Sequence, residues 1–432
     1  MTTATERLAA IAQRRTAGER TGITSVCSAH PLVIEAALRH GRSHGIDVLI
    51  EATCNQVNQD GGYTGMTPAD FRRFVEEIAD QVGFDRDRLI LGGDHLGPNP
   101  WKSLPADAAM DKALAMIEAF ASAGFTKLHL DTSMGCAGEP VALADAVTAE
   151  RAARLAERAE AAVKAAGGIS PVYVIGTEVP VPGGATEALD HVEVTKPEAA
   201  LATIEVHRQA FGARGLEAAF GRAIAAVVQP GVEFGNAELV VYEPEKAREL
   251  SAVLDRVPQF VFEAHSTDYQ PKAALRALVD DGFAILKVGP GLTFALREAL
   301  YGLSHVADML VPDENREPLP AVMERVMLAS PDNWRKYYPG TPDEQRIERH
   351  YSFSDRIRYY WPAGEAQSAV DELLSALGDR EIPITLVSQF LGRLYERVVA
   401  GDIRPVAHEL LLASVVTALD DYLYATASEV GR

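Results

Sequence analysis

The chain has 432 residues, and its 41 lysine and arginine residues stand against 61 aspartate and glutamate residues, a formal net charge of −20. Such an acidic surface repels nucleic acid and anionic membranes, so we expect neither as a partner. No segment reaches the roughly 18 apolar residues of a membrane span, and residues 1–20 lack an apolar signal region. The three cysteines, Cys27, Cys54 and Cys136, form no CxxC pair. The sequence therefore predicts a cytoplasmic enzyme that acts on small metabolites.

Short apolar, β-branched runs alternate with stretches of helical period along the first two thirds of the chain. Eight such strands predict a closed (β/α)₈ barrel over residues 1–310, with an open doubly wound sheet as the alternative. Residues 312–320 then read as a linker or loop, and residues 311–432 as a mainly helical extension that packs on the barrel. The predicted strands are 23–27, 48–52, 89–91, 127–131, 172–176, 224–228, 260–264 and 283–287.

The segment GGDHLGPN, residues 92–99, directly follows the third predicted strand. It sets an acid, Asp94, beside an imidazole, His95, where glycine and proline turn the backbone outward. Parallel α/β enzymes place their chemistry at the carboxyl ends of their strands, so this pair is a candidate for a reacting centre. The structural alternative is a buried Asp-His pair that caps a loop.

Three of the eleven histidines lie in or just after predicted strands. His95 and His265 stand at strand exits, while His129 lies inside its strand and shares a face with Asp131. Imidazoles from different strands, joined by a carboxylate such as Glu178, suit Zn²⁺ or another borderline divalent metal. The alternative is a set of hydrogen-bonded structural histidines.

Further polar groups stand at the strand exits and predict recognition of a polyhydroxylated substrate. Asp94 is the candidate acid or base, with Glu51, Asp131, Glu178, Glu233 and Asp268 as further carboxylates. The amide cluster suits a sugar, although a hydrogen-bonded turn would have the same composition. The candidates for substrate contact are Ser28, Asn55, Gln56, Asn58, Gln59, Ser266, Asp268, Lys287 and Gly289.

Phosphate recognition has two candidate locations. The chain has no G-x-x-x-x-G-K-[ST] motif, so nothing supports a P-loop kinase. Gly289-Pro290-Gly291 precedes a helix and could present backbone N–H groups to an anion. Arg356 and Arg358, amid aromatic residues, could reach over the barrel mouth and clamp an anionic group. The alternative is that both arginines pair with surface carboxylates.

Seven motifs carry a resemblance to a known family that runs nearly the full chain: SVCSAHP (25–31), NQVNQ (55–59), GGYTGMTPAD (61–70), GGDHLGPN (92–99), IGTEVPVPGG (175–184), EAHSTDYQ (263–270) and SDRIRYYW (354–361). The chain resembles the tagatose-bisphosphate aldolase accessory-subunit family. Its members have been labelled as non-catalytic aldolase subunits, as tagatose-6-phosphate kinases and as tagatose-6-phosphate 4-epimerases. The family is distantly similar to class II aldolases, which are zinc-dependent (β/α)₈ barrels.

That resemblance implies roles for individual residues. Asp94 takes the place of the aldolase acid or base, His95 and His265 those of metal ligands, and Glu178 lies near the aldolase's carboxylate region. The sequence departs from the aldolase pattern at the sixth strand exit, where a histidine ligand is expected. Gln229 or Glu233 would have to substitute there.

Of the three labels, the sequence favours a D-tagatose 6-phosphate 4-epimerase that uses metal-assisted retro-aldol and aldol chemistry. The expected cofactor is a divalent metal, Zn²⁺ first, with Mn²⁺, Mg²⁺ or Ni²⁺ as alternatives. The expected partners are a phosphorylated ketohexose and a second copy of the chain in a homo-oligomer. The alternative is a non-catalytic accessory subunit bound to a class II aldolase catalytic subunit, and the kinase label ranks last.

Overall fold

Eight parallel strands close into a barrel in the computed structural model, which describes residues 2–177 and 192–428. Each strand pairs with its predecessor in the chain, and the last pairs with the first, so the predicted (β/α)₈ barrel is confirmed and an open sheet is excluded. The barrel strands are β1 (Ile23–Val26), β2 (Val48–Thr53), β3 (Leu89–Leu96), β4 (Lys127–Leu130), β5 (Val172–Ile175), β6 (Ala223–Val227), β7 (Val261–Ala264) and β8 (Ile285–Val288).

Helices connect the strands and continue beyond the barrel. A small antiparallel hairpin, Glu233–Phe234 with Leu239–Val240, follows β6. The helices are α1 (Ala4–Ala9), α2 (Ile11–Thr16), α3 (Pro31–His44), α4 (Pro68–Val82), α5 (Ala106–Ser122), α6 (Asp145–Ala166), α7 (Pro197–Gly212), α8 (Glu217–Phe220), α9 (Pro244–Ser251), α10 (Lys272–Asp280), α11 (Pro290–Leu310), α12 (Leu319–Ala329), α13 (Pro342–Tyr351), α14 (Gly364–Leu377), α15 (Ile384–Phe390), α16 (Tyr395–Val399) and α17 (Ala407–Thr426).

The third strand is longer than the sequence predicts, and two glycines explain its course. β3 runs on through Gly92 and Gly93 to Leu96 instead of ending at Leu91. A Cβ atom on Gly92 would lie 2.6 Å from Cγ of Glu51 on β2, so only glycine lets the two strands pair at this point. The prediction that Asp94 follows the strand is therefore wrong, because Asp94 lies within β3.

The apolar core of the barrel has two layers. One lies between the strands and the surrounding helices. The other fills the amino-terminal end of the barrel, where Leu8 and Ile11 from α1 and α2 pack against Leu49, Ile90 and Ile285. Burial of these side chains stabilises the bottom of the barrel, and the charged side chains of the strands meet above this layer.

The chain after α11 is helical, as its amphipathic pattern predicts. The loop 311–318 overlaps the predicted linker of residues 312–320, and α12 to α17 follow it. α17 packs against α3, α10 and α11 on the outside of the barrel. A division into a barrel of residues 1–310 and an extension of residues 311–432 stays a prediction. Within the described residues, no helix combines the length and apolar character that crossing a bilayer requires.

Candidate functional site

A bulge in β3 presents Asp94 and His95 to the barrel interior. The register of β3 against β4 shifts between Gly93 and Leu96, and His95 takes a left-handed backbone conformation with φ of 50°. A bulge bends its strand and re-aims the side chains beside it. Asp94 and His95 are both buried, 2% and 3% exposed.

Three imidazoles meet above this bulge. His95 comes from β3, His129 from β4, and His265 directly follows β7. Their ring centroids are 5.0 Å apart for His95 and His129, 5.0 Å for His95 and His265, and 5.2 Å for His129 and His265. The structure thus brings together the two predicted ligands, His95 and His265, and adds a third imidazole. We call these three residues the histidine triangle.

A carboxylate holds each imidazole of the triangle. Asp94 Oδ1 lies 2.8 Å from Nδ1 of His129, and Asp131 Oδ2 lies 2.8 Å from Nδ1 of His95. Glu263 Oε1 lies 3.0 Å from Nε2 of His265. Such partners fix the orientation and tautomer of an imidazole ligand. Asp131, predicted as a catalytic candidate, is therefore placed behind His95, where it also accepts a hydrogen bond from the Ser133 hydroxyl.

The electrostatics of the triangle follow from these pairs. Burial alone would raise the pKa of Asp94, but His95, Lys287 and His129 outweigh it and hold that pKa well below its ordinary value. Burial opposes the charged form of His95 as well, yet Asp94 and Asp131 raise its pKa. For His265 burial dominates and lowers the pKa to about 4. The neutral His265 ring at physiological pH is the form that binds a metal.

Below the triangle lies a buried layer of charges. The Lys127 ammonium sits 2.6 Å from Oε1 of Glu51 and 2.7 Å from Oε2 of Glu263. Lys287 lies 2.6 Å from Oε2 of Glu51 and 2.7 Å from Oδ1 of Asp94. Burial opposes both ammonium groups, but the surrounding carboxylates raise the pKa of Lys127 and of Lys287, so both stay charged.

Sequence reasoning missed Lys127 and Glu263 and did not commit to His129 as a ligand. The signal was present in the period-two alternation of β4, which sets Lys127 and His129 on one face. In a closed barrel that face is the interior, where a lysine is stable only with carboxylate partners on neighbouring strands.

The donor set of this centre fits a divalent metal ion. Asp94, His129, Glu263 and His265 each offer one ligand atom within 4.8 Å of the others. Nε2 of His129 is buried and has no partner among the described residues, while Nδ1 faces Asp94. A proton on Nδ1 leaves the lone pair of Nε2 free, and mixed nitrogen and carboxylate donors suit Zn²⁺ and Mn²⁺.

A pocket of about 80 Å³ opens above the triangle. Seven of the residues predicted to contact substrate line this pocket. Those residues are Asn55, Gln56, Ser266, Asp268, Lys287, Gly289 and Arg358. Asp94 and His95 also line this pocket, together with Tyr63 and Tyr359 from outside the barrel strands.

Two residues of the predicted amide cluster bind their own surroundings instead. The Asn58 side chain donates to the Cys54 carbonyl and accepts from the N–H groups of Asp60 and Gly62. Gln59 donates to the carbonyl of Lys112. For Asn58 and Gln59 the alternative of a hydrogen-bonded loop is the correct one.

Gln229, predicted as a metal ligand, binds the backbone of its own turn. Its Oε1 accepts hydrogen bonds from the N–H groups of Gly231 at 2.8 Å and Val232 at 2.9 Å. The side chain closes the turn after β6, so its ligand atom is already used.

At two of the predicted anion sites, the start of α11 and Arg356, protein groups already bind the expected donors. Asp268 Oδ1 accepts the N–H groups of Gly289 at 2.9 Å and Gly291 at 2.7 Å, so a carboxylate fills the expected anion position at the start of α11. Arg356 lines neither the pocket nor its neighbouring cavity. Its guanidinium stacks 3.4 Å from the Tyr337 ring centroid and donates to the Asn333 carbonyl.

The remaining candidates stand beside the pocket. Ser28 accepts the N–H of His30 and lines a larger neighbouring cavity. Glu233 is buried next to Ser266, and burial raises the pKa of its carboxyl to about 7. Glu178, predicted as both ligand and catalytic carboxylate, lies outside the described residues.

Comparison with known proteins matches nearly the full length of the chain to one family. A family profile described as "D-tagatose-1,6-bisphosphate aldolase subunit GatZ/KbaZ-like" matches residues 8–427. A relative from Agrobacterium fabrum named "D-tagatose 6-phosphate 4-epimerase" is 54% identical over 426 residues, 99% of each chain. A relative from Klebsiella pneumoniae subsp. pneumoniae named "D-tagatose-1,6-bisphosphate aldolase subunit GatZ" is 51% identical over 97% of this chain and 99% of its own length.

A solved structure agrees with the sequence matches. The crystal structure of a probable tagatose 6 phosphate kinase from Sinorhizobium meliloti 1021 superposes with a TM-score of 0.88 at 60% identity. It covers 94% of this chain and all of that one. The chain therefore belongs to the GatZ/KbaZ-like family of D-tagatose-1,6-bisphosphate aldolase subunits.

Proposed function

We propose that this protein is a metal-dependent epimerase that interconverts D-tagatose 6-phosphate and D-fructose 6-phosphate at C4. The observation that carries the proposal is the position of Asp94, an ionised carboxylate at the floor of the pocket beside three clustered imidazoles. The name of the Agrobacterium relative supports the same activity.

The candidate metal ligands are His129 and His265, with His95, Asp94 and Glu263 beside them. A divalent ion bound there would polarise the ketose carbonyl at C2. Asp131 and Glu263 orient His95 and His265 from behind. Glu178 remains a proposed further carboxylate of this centre.

Asp94 is suited to move the proton of the C4 hydroxyl. Its Oδ1 is held by His129, by Lys287 and by the N–H of His95. Its Oδ2 has weaker neighbours, the Cys27 thiol at 3.9 Å and Nε2 of His95 at 3.7 Å. One oxygen therefore fixes the carboxylate while the other can accept a proton from substrate.

The reaction balances without another reactant. Asp94 takes the C4 hydroxyl proton, the C3–C4 bond breaks, and its electron pair passes to C3 and the C2 carbonyl. The C4 aldehyde of the released triose phosphate rotates and presents its opposite face. C3 then attacks that face, the C3–C4 bond re-forms, and the proton returns from Asp94 to the oxygen on C4.

The two buried lysines support this route over a Schiff-base route. A Schiff base needs a neutral amine. Carboxylates raise the pKa of Lys127 and Lys287 above the ordinary value, so both remain ammonium groups. Lys287 instead anchors Asp94 and leaves that carboxylate charged.

The GatZ names of several relatives keep one alternative, an accessory subunit of a class II D-tagatose-1,6-bisphosphate aldolase. In that case a second barrel subunit would carry the aldol reaction, and the site described here would be vestigial. The kinase label has less support, because the chain contains no nucleotide-binding P-loop motif.

A single assay separates the two functions. The purified chain is incubated with either ketose 6-phosphate and with Zn²⁺, Mn²⁺, Mg²⁺ or Ni²⁺, and NMR follows the products. Interconversion by the chain alone supports the epimerase. Absence of interconversion with every metal, together with stimulation of an added aldolase catalytic subunit, would establish the accessory role.

A further inference from the structure

A second cavity adjoins the pocket and is much larger. This side cavity, of about 570 Å³, lies between the start of α3 and α14 and is bordered by Ser28, His30, Trp361 and Val370. It shares five lining residues with the pocket: Cys27, Gln56, Tyr63, Gly289 and Arg358. The two spaces are therefore neighbours across one wall.

We propose that the side cavity binds the phosphorylated C4–C6 half of the ketose, and that Arg358 at the junction pairs with its phosphate. This inference rests on the proposed function and names the subsite that the substrate's phosphate occupies.

Size is the first argument. Pockets for small ligands typically hold about 300–1,000 Å³. The pocket above the triangle, at about 80 Å³, is too small for a hexose phosphate on its own, whereas the side cavity lies within that range. If the C2 and C4 atoms of a ketose stand near Asp94, the pocket leaves no room for C5, C6 and the phosphate. These atoms then lie in the side cavity, beyond the residues that the two spaces share.

The second argument is that Asp268 already occupies the position where barrel enzymes usually bind phosphate. Barrel enzymes often bind phosphate at a helix start after the last strands. Here Asp268 takes the N–H groups of Gly289 and Gly291 at that position. A phosphate placed there would meet a carboxylate instead of free donors.

The third argument is that two N–H donors of Arg358 have no acceptor in the described parts of the chain. Its guanidinium donates to the carbonyls of Ser354 and Asp355 and to the Tyr359 hydroxyl. Of the five N–H donors of an arginine, Nε–H and one on Nη2 are left without an acceptor in the described parts of the chain. Within those parts, no carboxylate lies within 4.0 Å of this guanidinium, unlike Lys287. Asp355 and Asp268 act on Arg358 only from beyond ion-pair distance. An arginine with two free donors and no carboxylate in direct contact suits a phosphate.

The opposite wall adds a neutral donor. Nδ1 of His30 accepts the N–H of Leu32, so the ring proton lies on Nε2. Burial lowers the pKa of His30 to about 4, which keeps the ring neutral. The Trp361 ring stands edge-on to the His30 ring with centroids 6.3 Å apart and borders the same cavity.

The side cavity also fits what the reaction requires. After the C3–C4 bond breaks, the triose phosphate must turn its aldehyde over without leaving. A phosphate held at Arg358 would keep the fragment bound, while the surrounding volume leaves room for its carbonyl end to rotate.

The test measures binding of glycerol 3-phosphate, which has no carbonyl and cannot react. Isothermal titration compares the full chain with Arg358→Gln and with the matched control Arg356→Gln. The Arg356 guanidinium stacks on Tyr337 and on the outer side of Tyr359 but itself lines neither space. We expect affinity to fall at least about tenfold in Arg358→Gln and less than about twofold in Arg356→Gln. Should Arg358→Gln fail to fold by circular dichroism, Val370→Trp, which fills the side cavity, should produce the same loss.

Absence of saturable binding to the wild-type chain, equal losses in the two arginine variants, or unchanged affinity in Arg358→Gln and Val370→Trp would overturn the subsite. Because no turnover is measured, these outcomes are independent of the epimerase assay. Epimerase activity with an unaffected Arg358→Gln would remove only the subsite, and the expected binding pattern without epimerase activity would remove only the proposed reaction.

Discussion

The polar side chains of the barrel strands and those of the loops that follow them behave differently. Strand residues such as Lys127, His129 and Glu263 meet partners from other strands inside the barrel. Loop residues such as Asn58 and Gln229 bind the backbone of their own turns. The difference teaches that a polar loop at a strand exit is weak evidence for a binding role, because such a loop must first satisfy its own N–H groups.

The strand residues have no such local use for their side chains. Their backbone groups are already paired in the sheet, and alternate side chains point into a closed interior. A charged side chain there needs partners across the barrel, and it is costly without them. Interior polar residues of this barrel therefore indicate the reacting centre directly. Asp131 and His265, which come just after their strands, show that the first loop residues can belong to the centre as well.

The largest effect is expected at Asp94. Asp94→Asn keeps the side-chain shape but removes the proton acceptor, so kcat should fall by roughly 10²- to 10⁴-fold. Steady-state epimerase kinetics test this, with the melting temperature as a check on folding. The matched control is Asp281→Asn, which alters a partly buried carboxylate bonded to Tyr242 away from the pocket. A near-normal kcat in Asp94→Asn would move the base elsewhere, with Glu233 as the next candidate.

A smaller effect is expected at Asp131, which holds Nδ1 of His95 and lines no part of the pocket. Asp131→Asn should weaken metal affinity by about 10- to 100-fold, because the partner that fixes the imidazole tautomer is changed. Competition with a chromophoric chelator measures this without relying on activity. The neighbouring Ser133→Ala, which removes a hydrogen bond to Asp131, is the milder control. Equal metal affinity in the wild type and Asp131→Asn would contradict the role of Asp131 as a support for His95.

Much of this architecture could be predicted from the sequence, and the failures share a cause. The alternation of short apolar strands with helices depends on local chemistry, and it predicted the closed eight-stranded barrel correctly. The extension of β3 through Gly92 and the bond of Asp268 to Gly289 depend on which groups meet in space. A single sequence does not contain those distances, so the pairing of strands had to come from the structure.

A buried histidine on a helix tests whether acid sensitivity belongs to the histidine triangle alone. Burial lowers the pKa of His207 to about 4 from an ordinary 6.5. The unfolded chain therefore binds the proton first, so the stabilisation is complete above pH 6.5 and is lost as the pH falls toward 4. At about 1.4 kcal/mol per pH unit, His207→Leu should lose roughly 2 kcal/mol less stability than the wild type between pH 7 and pH 5.

Urea unfolding at the two pH values measures this difference, and activity at pH 7 should stay unchanged because His207 does not line the pocket. A constant offset between the variant and the wild type at both pH values would mean that His207 does not resist protonation. Acid sensitivity would then arise from the triangle and the other buried groups.

The smallest effect is expected at Gln229, the loop residue that sequence reasoning proposed as a metal ligand. Gln229→Ala removes the acceptor for the N–H groups of Gly231 and Val232, so stability should fall by about 1–2 kcal/mol. Metal content, measured by inductively coupled plasma mass spectrometry, should remain that of the wild type. Gln229→Glu retains an acceptor oxygen and should recover part of the stability. A loss of metal from Gln229→Ala as large as that caused by His129→Ala would instead make Gln229 a ligand, and the distinction between strand and loop residues would fail at the sixth strand.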